Sequence, residues 1–176
     1  MFDFLKILIN FFDQYKIPYM LSGSVAMSTY ILPRFTRNFD FIVHLKLVDA
    51  QLLSTHFKDG YYCDEDAIRE AIHYKGMFNI IDLKSNYKAD FIILKDNPFR
   101  QEEFLRRRLI DFREMKIYIV SPEDLLLSKL IWIQESERPS QKEDIRLLSA
   151  IDNLDWNYIQ SWIRILKLNT FGVINT

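Results

Sequence analysis

The spacing of apolar positions changes period repeatedly along the chain, and each change marks an element. Phe4, Leu5, Leu8, Ile9 and Phe12 share one side of a helical wheel and predict an amphipathic helix over 1–12. Asp3, Lys6 and Asn10 interrupt that run and no small-residue cleavage pattern follows, so it does not read as a signal peptide. Ile17-Pro18 breaks the pattern; a strand over 19–22 then runs into a turn at Gly23, and a helix over 24–31 ends before Pro33. A strand over 39–45 is followed by helices over 48–58 and 64–73, the second opened by an acidic turn that suits its dipole. Strands over 77–83 and 87–94 flank the turn-prone Lys84-Ser85-Asn86. A charged helix over 99–108 and a strand over 114–120 come next.

From Ser121-Pro122-Glu123-Asp124 onward the pattern is helical. Ser, Pro and two acids make a strong start signal, and Leu125, Leu126, Lys129, Leu130 and Ile133 recur at helical spacing. Two more helices follow over 140–151 and 155–168. Trp132, Trp156 and Trp162 fall in these helices, where packing is their expected role. The tail from Asn169 is expected to be loosely held. This order predicts an α+β fold, a mixed β-sheet with packed helices and a helical C-terminal portion. The expected organisation is a core over 1–120 and a helical portion over 121–170, forming one compact unit.

Composition narrows the classes. With 176 residues, 49% hydrophobic and 15% aromatic, the chain can fill one core. Its 23 basic and 24 acidic residues give no global attraction to nucleic acid or to an anionic membrane. A single cysteine, Cys63, rules out an intrachain disulfide and suits a reducing cytoplasm. No segment is apolar long enough to span a bilayer. His44, His56 and His73 are too scattered for a zinc site, and neither Gly-x4-Gly-Lys nor Gly-x-Gly-x-x-Gly occurs. Arg106-Arg107-Arg108 is the one dense basic run. It reads either as favourable charge closing a helix, paired with Glu102 and Glu103, or as a contact to an RNA backbone.

The chemistry concentrates in three places. In Asn38-Phe39-Asp40-Phe41, positions 38 and 40 share one face of a strand, with the phenylalanines on the other. Ala89-Asp90-Phe91-Ile92 places a lone carboxylate in a second apolar strand, where a charge needs a cation or a donor. A hard dication such as Mg²⁺ supplies that through oxygen ligands. Leu21-Ser22-Gly23-Ser24-Val25 reads as a strand, a turn and a helix start, whose free N–H groups favour phosphate. Taken singly, Ser24 could be a helix cap, Asp40 could pair with Arg34 or Arg37, and Asp90 could pair with Lys88. Jointly they point to a metal and polyphosphate site.

Gly23-Ser24-x-Ala26, then Arg34-x-Thr36-x-Asn38-x-Asp40, then Ala89-Asp90 resemble the DNA polymerase beta-like nucleotidyltransferase superfamily, specifically small bacterial members related to AbiEii-type toxins. The likeness continues through Val120-Ser121-Pro122-Glu123-Asp124, Lys129-Leu130 and Asp144-Ile145, over residues 15–165. It implies that Gly23 and Ser24 hold nucleotide phosphates, that Asp40 binds Mg²⁺, and that Asp90 completes the metal site and helps activate the incoming hydroxyl. It further implies that Lys129 approaches the triphosphate, that Asp144 belongs to the same helical motif, and that Arg34 and Thr36 brace the start of the strand. The implied reaction moves a nucleoside monophosphate from an NTP to a hydroxyl on RNA, protein or a small molecule, with tRNA the acceptor in a toxin-like role.

The family carries an acid where this chain has Asn38. At an effective dielectric near 20, losing that charge beside a dication weakens the interaction by several kcal/mol, roughly a thousandfold in rate or affinity. Asparagine keeps a carbonyl oxygen, so binding is expected to survive better than turnover. The amide reads either as a naturally weakened site or as a deliberate acid-to-amide change that silences an enzyme, and the chain either as a nucleotidyltransferase of low activity or as a non-catalytic nucleotide-binding or regulatory protein.

Overall fold

A computed structural model of the chain describes residues 2–31 and 36–174. The first helix, α1 (Phe2–Tyr15), buries the five predicted apolar residues together with Phe11. It is followed by β1 (Tyr19–Ser22), α2 (Gly23–Met27), β2 (Asn38–Val43), α3 (Leu47–His56), β3 (Tyr61–Tyr62) and α4 (Glu65–Tyr74). Asp64 caps α4 by accepting from the backbone N–H groups of Asp66 and Ala67, which is the acidic start read from the sequence. Next come β4 (Met77–Asp82), β5 (Lys88–Ile93), α5 (Pro98–Leu105), β6 (Arg108–Phe112) and β7 (Met115–Ile119). Three helices close the chain: α6 (Pro122–Glu135), α7 (Pro139–Ser149) and α8 (Trp156–Leu166). Ser121 caps α6 by accepting from the Asp124 N–H.

The strands form one seven-stranded mixed sheet in the order β3-β4-β5-β2-β1-β7-β6. The β1–β7 and β2–β5 pairs are parallel and the others antiparallel. In register across the sheet lie Leu21, Phe41, Phe91 and Phe78, all buried. Phe91 stacks between Phe41 at 5.7 Å and Phe78 at 4.9 Å. Helix α1 packs on this face, with Phe12 against Tyr19 at 4.8 Å, Phe41 at 5.3 Å and Phe91 at 6.0 Å. One residue along, the next row is Ser22, Asp40, Asp90 and Asn79. Because side chains alternate between faces, an aromatic core row and a polar row are neighbours in sequence but lie on opposite sides of the sheet.

Several expectations are corrected. The helix expected over 24–31 is only five residues long, and the chain turns after Met27. The charged helix stops at Leu105, and Arg108 opens β6, a strand not anticipated. Arg106 does close α5 as its C-cap, its backbone N–H donating to the Glu102 carbonyl, but the side chains of the run do not pair with Glu102 or Glu103. Arg106 donates to Asp124 at 3.1 Å and stacks on Tyr158 at 3.8 Å. Arg108 donates to Glu123 at 3.2 Å, and Arg107 donates to the Phe104 carbonyl at 2.6 Å. Asp124 and Glu123 are buried acids, and their demand for donors draws the guanidinium groups inward. Trp132 is 63% exposed, against the expectation of packing, whereas Trp162 packs edge-on against Phe99 at 5.2 Å. The tail is held as far as residue 174: Val173 and Ile174 are buried, and the Asn169 backbone exchanges hydrogen bonds with the Gln134 amide at 3.0 Å.

Candidate active site

Three strand residues and a turn build the site. Asp40 and Asp90 are directly opposite one another on the parallel pair β2–β5, so both carboxylates leave the same face. The Asn38 side chain lies between them: its Nδ2 donates to Asp40 Oδ1 and to Asp90 Oδ2, each at 2.9 Å. Ionised carboxylates only accept, so both neighbours fix the amide with its nitrogen towards the acids. Its Oδ1 is buried and has no hydrogen-bond partner. Thr36 braces the strand start, its hydroxyl accepting from the Asn38 N–H at 3.1 Å. Arg34, its expected companion, lies outside the described residues.

Gly23 closes the other side. Its φ of +63° is left-handed, and a Cβ added there would lie 1.9 Å from Asp40 Oδ2. Only glycine permits both that conformation and the approach of the carboxylate. Ser24 follows as the second residue of α2, while Ser22 takes the cap position without a side-chain hydrogen bond. Ser24 is therefore not the cap of this helix.

Charges complete the picture. Lys88, on β5 two residues before Asp90, lies 2.9 Å from Asp90 Oδ1. Burial pushes the Asp40 carboxyl up to about 6, with the neighbouring Asp90 charge acting in the same direction and Lys129 and Lys88 opposing it. Lys129, on α6, turns inward and donates to Asp144 of α7 at 2.9 Å. Its side chain is largely buried between α6 and α7, and its charge is felt at Asp40.

The structure brings together Gly23, Asn38, Asp40 and Asp90, with Ser24 adjoining and Lys129 within electrostatic reach. Asn79 was missed: it faces Asp90 from β4 as the lone polar residue between Phe78 and Ile80. Alternation marks it as facing away from the core, but only the strand register shows which acid it meets. Lys88 takes the place beside Asp90 that its position two residues before the acid offers.

Among the described residues no group of three or more His, Cys, Asp and Glu side chains gathers. The acids come as a pair completed by an amide. The two carboxylates are oxygen donors suited to a hard dication, and the amide adds a third oxygen once it turns its carbonyl towards them, so these residues fit Mg²⁺.

Residues 13–170 match the family model described as nucleotidyltransferase of unknown function, DUF6036. The chain belongs to this family. No curated protein matches it in sequence. Solved structures share the fold. ANT(2'')-Ia in complex with adenylyl-2''-tobramycin superposes with a TM-score of 0.61 at 10% identity, over 94% of this chain and 95% of that one. The lincosamide antibiotic adenylyltransferase LnuA, with lincomycin bound, gives 0.59 at 15% identity, over 84% and 95%. An antigenic nucleotidyltransferase-like protein from Paracoccidioides brasiliensis gives 0.51 at 14% identity, over 91% and 84%. At such identities the likeness is one of fold, the mixed α/β nucleotidyltransferase architecture expected from the sequence.

Proposed function

We propose that this DUF6036 protein transfers a nucleoside monophosphate from an NTP to a hydroxyl acceptor with Mg²⁺ as cofactor, and that Asn38 lowers its turnover. What carries the reading is the convergence of Asp40 and Asp90 on one amide, against the Gly23 turn. In this reading Asp40 and Asp90 would hold the metal, the Asn38 carbonyl joining them only after the amide turns. When bound, the metal neutralises phosphate charge and polarises the transferring group. The Gly23 backbone, Ser24 and Lys129 hold the nucleotide's phosphates. Asp90 accepts the proton of the acceptor hydroxyl as its oxygen attacks the α-phosphorus and pyrophosphate leaves. Lys129, held by Asp144, contributes positive charge on the side of α6.

The acceptor is best read as a small molecule. The arginine run that would have followed an RNA backbone is committed to Glu123, Asp124 and the Phe104 carbonyl. The solved structures of LnuA and ANT(2'')-Ia hold lincomycin and adenylyl-2''-tobramycin, which favours the same class. A toxin-like action on tRNA in the bacterial cytoplasm, implied by the AbiEii likeness, is tested by including tRNA among the acceptors. A non-catalytic nucleotide-binding role is the second reading, favoured by the way Asn38 occupies both acids.

The deciding experiment incubates the chain and Asn38→Asp with each α-labelled NTP, Mg²⁺ and a panel of aminoglycoside, lincosamide and tRNA acceptors. Label transfer that rises roughly a hundredfold to a thousandfold in the Asp variant is the expected result. Mg²⁺-dependent NTP binding without transfer in either chain supports the second reading. Absence of NTP binding in both defeats the two together.

A further inference from the structure

In a site built for a dication, two acids side by side in a buried sheet should repel one another until the metal arrives. Here they do not stand alone. Asn38 Nδ2 lies 2.9 Å from an oxygen of each, and Lys88 Nζ lies 2.9 Å from the Asp90 oxygen that Asn38 does not reach. Asp40 Oδ2 rests against the Gly23 backbone. The donor face of the amide is thus directed at the acids, while its acceptor, Oδ1, is turned away, buried and without a partner. For Asn38 to offer an oxygen between Asp40 and Asp90, the amide must rotate and break both hydrogen bonds.

We propose that the Lys88 ammonium is a resident counter-cation for Asp40 and Asp90 and that the neutral Asn38 amide completes it by hydrogen bonding to both acids, so that a free dication enters only by displacing them. The proposal rests on the reading of this pair of acids as metal ligands. It gives Asn38 a role opposite to that of a weak ligand: in the metal-free protein the amide stabilises the acid pair, and on metal loading it is a competitor until it turns. Lys88 acts in the same direction through Asp90. Both are positioning residues whose effect is on metal affinity and on the stability of the metal-free fold.

A ligand and a competitor respond oppositely to deletion, which makes Asn38→Ala decisive. Mn²⁺ alone is titrated into the full chain and followed by the electron paramagnetic resonance of the free ion, with thermal melts recorded in parallel. Asn38→Ala and Lys88→Met are each expected to bind Mn²⁺ more tightly than the parent, by about tenfold, the amide through its hydrogen bonds to charged groups and the lysine through its ion pair with Asp90. Without metal Asn38→Ala should melt below the parent, and saturating Mn²⁺ should close the gap. Weaker Mn²⁺ binding in Asn38→Ala makes the amide a simple ligand and overturns the proposal, as does an absence of Mn²⁺ binding in all three chains. Lys88→Met, a change at a half-exposed side chain, carries the test should Asn38→Ala fail to fold, and unchanged affinity there overturns it too. None of these measurements uses a nucleotide. Success here with no NTP binding would sink the proposed function and leave the counter-cation standing, and NTP transfer with weaker Mn²⁺ binding in Asn38→Ala would do the reverse.

Discussion

Gly23 shows how much one residue decides. Its left-handed backbone and the Asp40 oxygen seated over its Cα leave no room for a side chain. Gly23→Ala is expected to destabilise the fold by about 1–3 kcal/mol and to push Asp40 out of register with Asp90, abolishing metal-dependent thermal stabilisation. Urea unfolding with and without Mg²⁺ checks both effects. Cys63 is a second case at this scale. Burial pushes its thiol up to about 12, with the charge of Asp64 acting in the same direction. The native thiol is therefore protonated at pH 8, and alkylation by iodoacetamide should be slow until the protein is unfolded. The sign of the pH dependence follows. The raised thiol adds stability below the unfolded value near 9, and that contribution is lost as pH climbs towards about 12.

Elements are held together by two kinds of contact that respond differently to mutation. Helix α1 grips the sheet through aromatic rings, with Phe12 at its centre. Phe12→Ala should cost about 3–5 kcal/mol, a large part of the stability of a domain this size, and lower the urea midpoint accordingly. The junction of α5, β6, α6 and α8 is polar. Asp124 accepts from Ser121, Arg106 and Tyr158, and Glu123 accepts from Arg108. Arg106→Ala strands a buried carboxylate and is expected to cost about 3 kcal/mol, with Arg106→Lys recovering only part because it loses the planar stack on Tyr158. Long amphipathic elements such as α1, α6 and α8 were legible because periodicity and caps are written locally. The β6 strand was not, since Arg106-Arg107-Arg108 reads as a helix end until Glu123 and Asp124, distant in sequence, supply its partners. Asp40 and Asp90 were legible as a pair by type and strand parity. The bridging amide of Asn38 and the facing Asn79 were not, because strand register is a property of the assembled sheet.

At the scale of the whole molecule, the 23 basic and 24 acidic residues nearly balance, and the arginine run spends its side chains on partners within the protein. Binding of tRNA, measured by filter retention at 50 mM and 200 mM salt, should be weak and lack the steep salt slope of a protein that neutralises many phosphates. None of the described helices is long and apolar enough to cross a membrane.

The parallel pairings also set an order of assembly. Asp40 meets Asp90 only after the β2–β5 crossover closes, and Leu21 meets Ile119 only when β7 is made. A nascent chain that has left the ribosome as far as β5 already carries every acid of the site, yet its β1 backbone is bare along one side. During synthesis that exposed edge is where a chaperone, or another unfinished copy, would find its foothold.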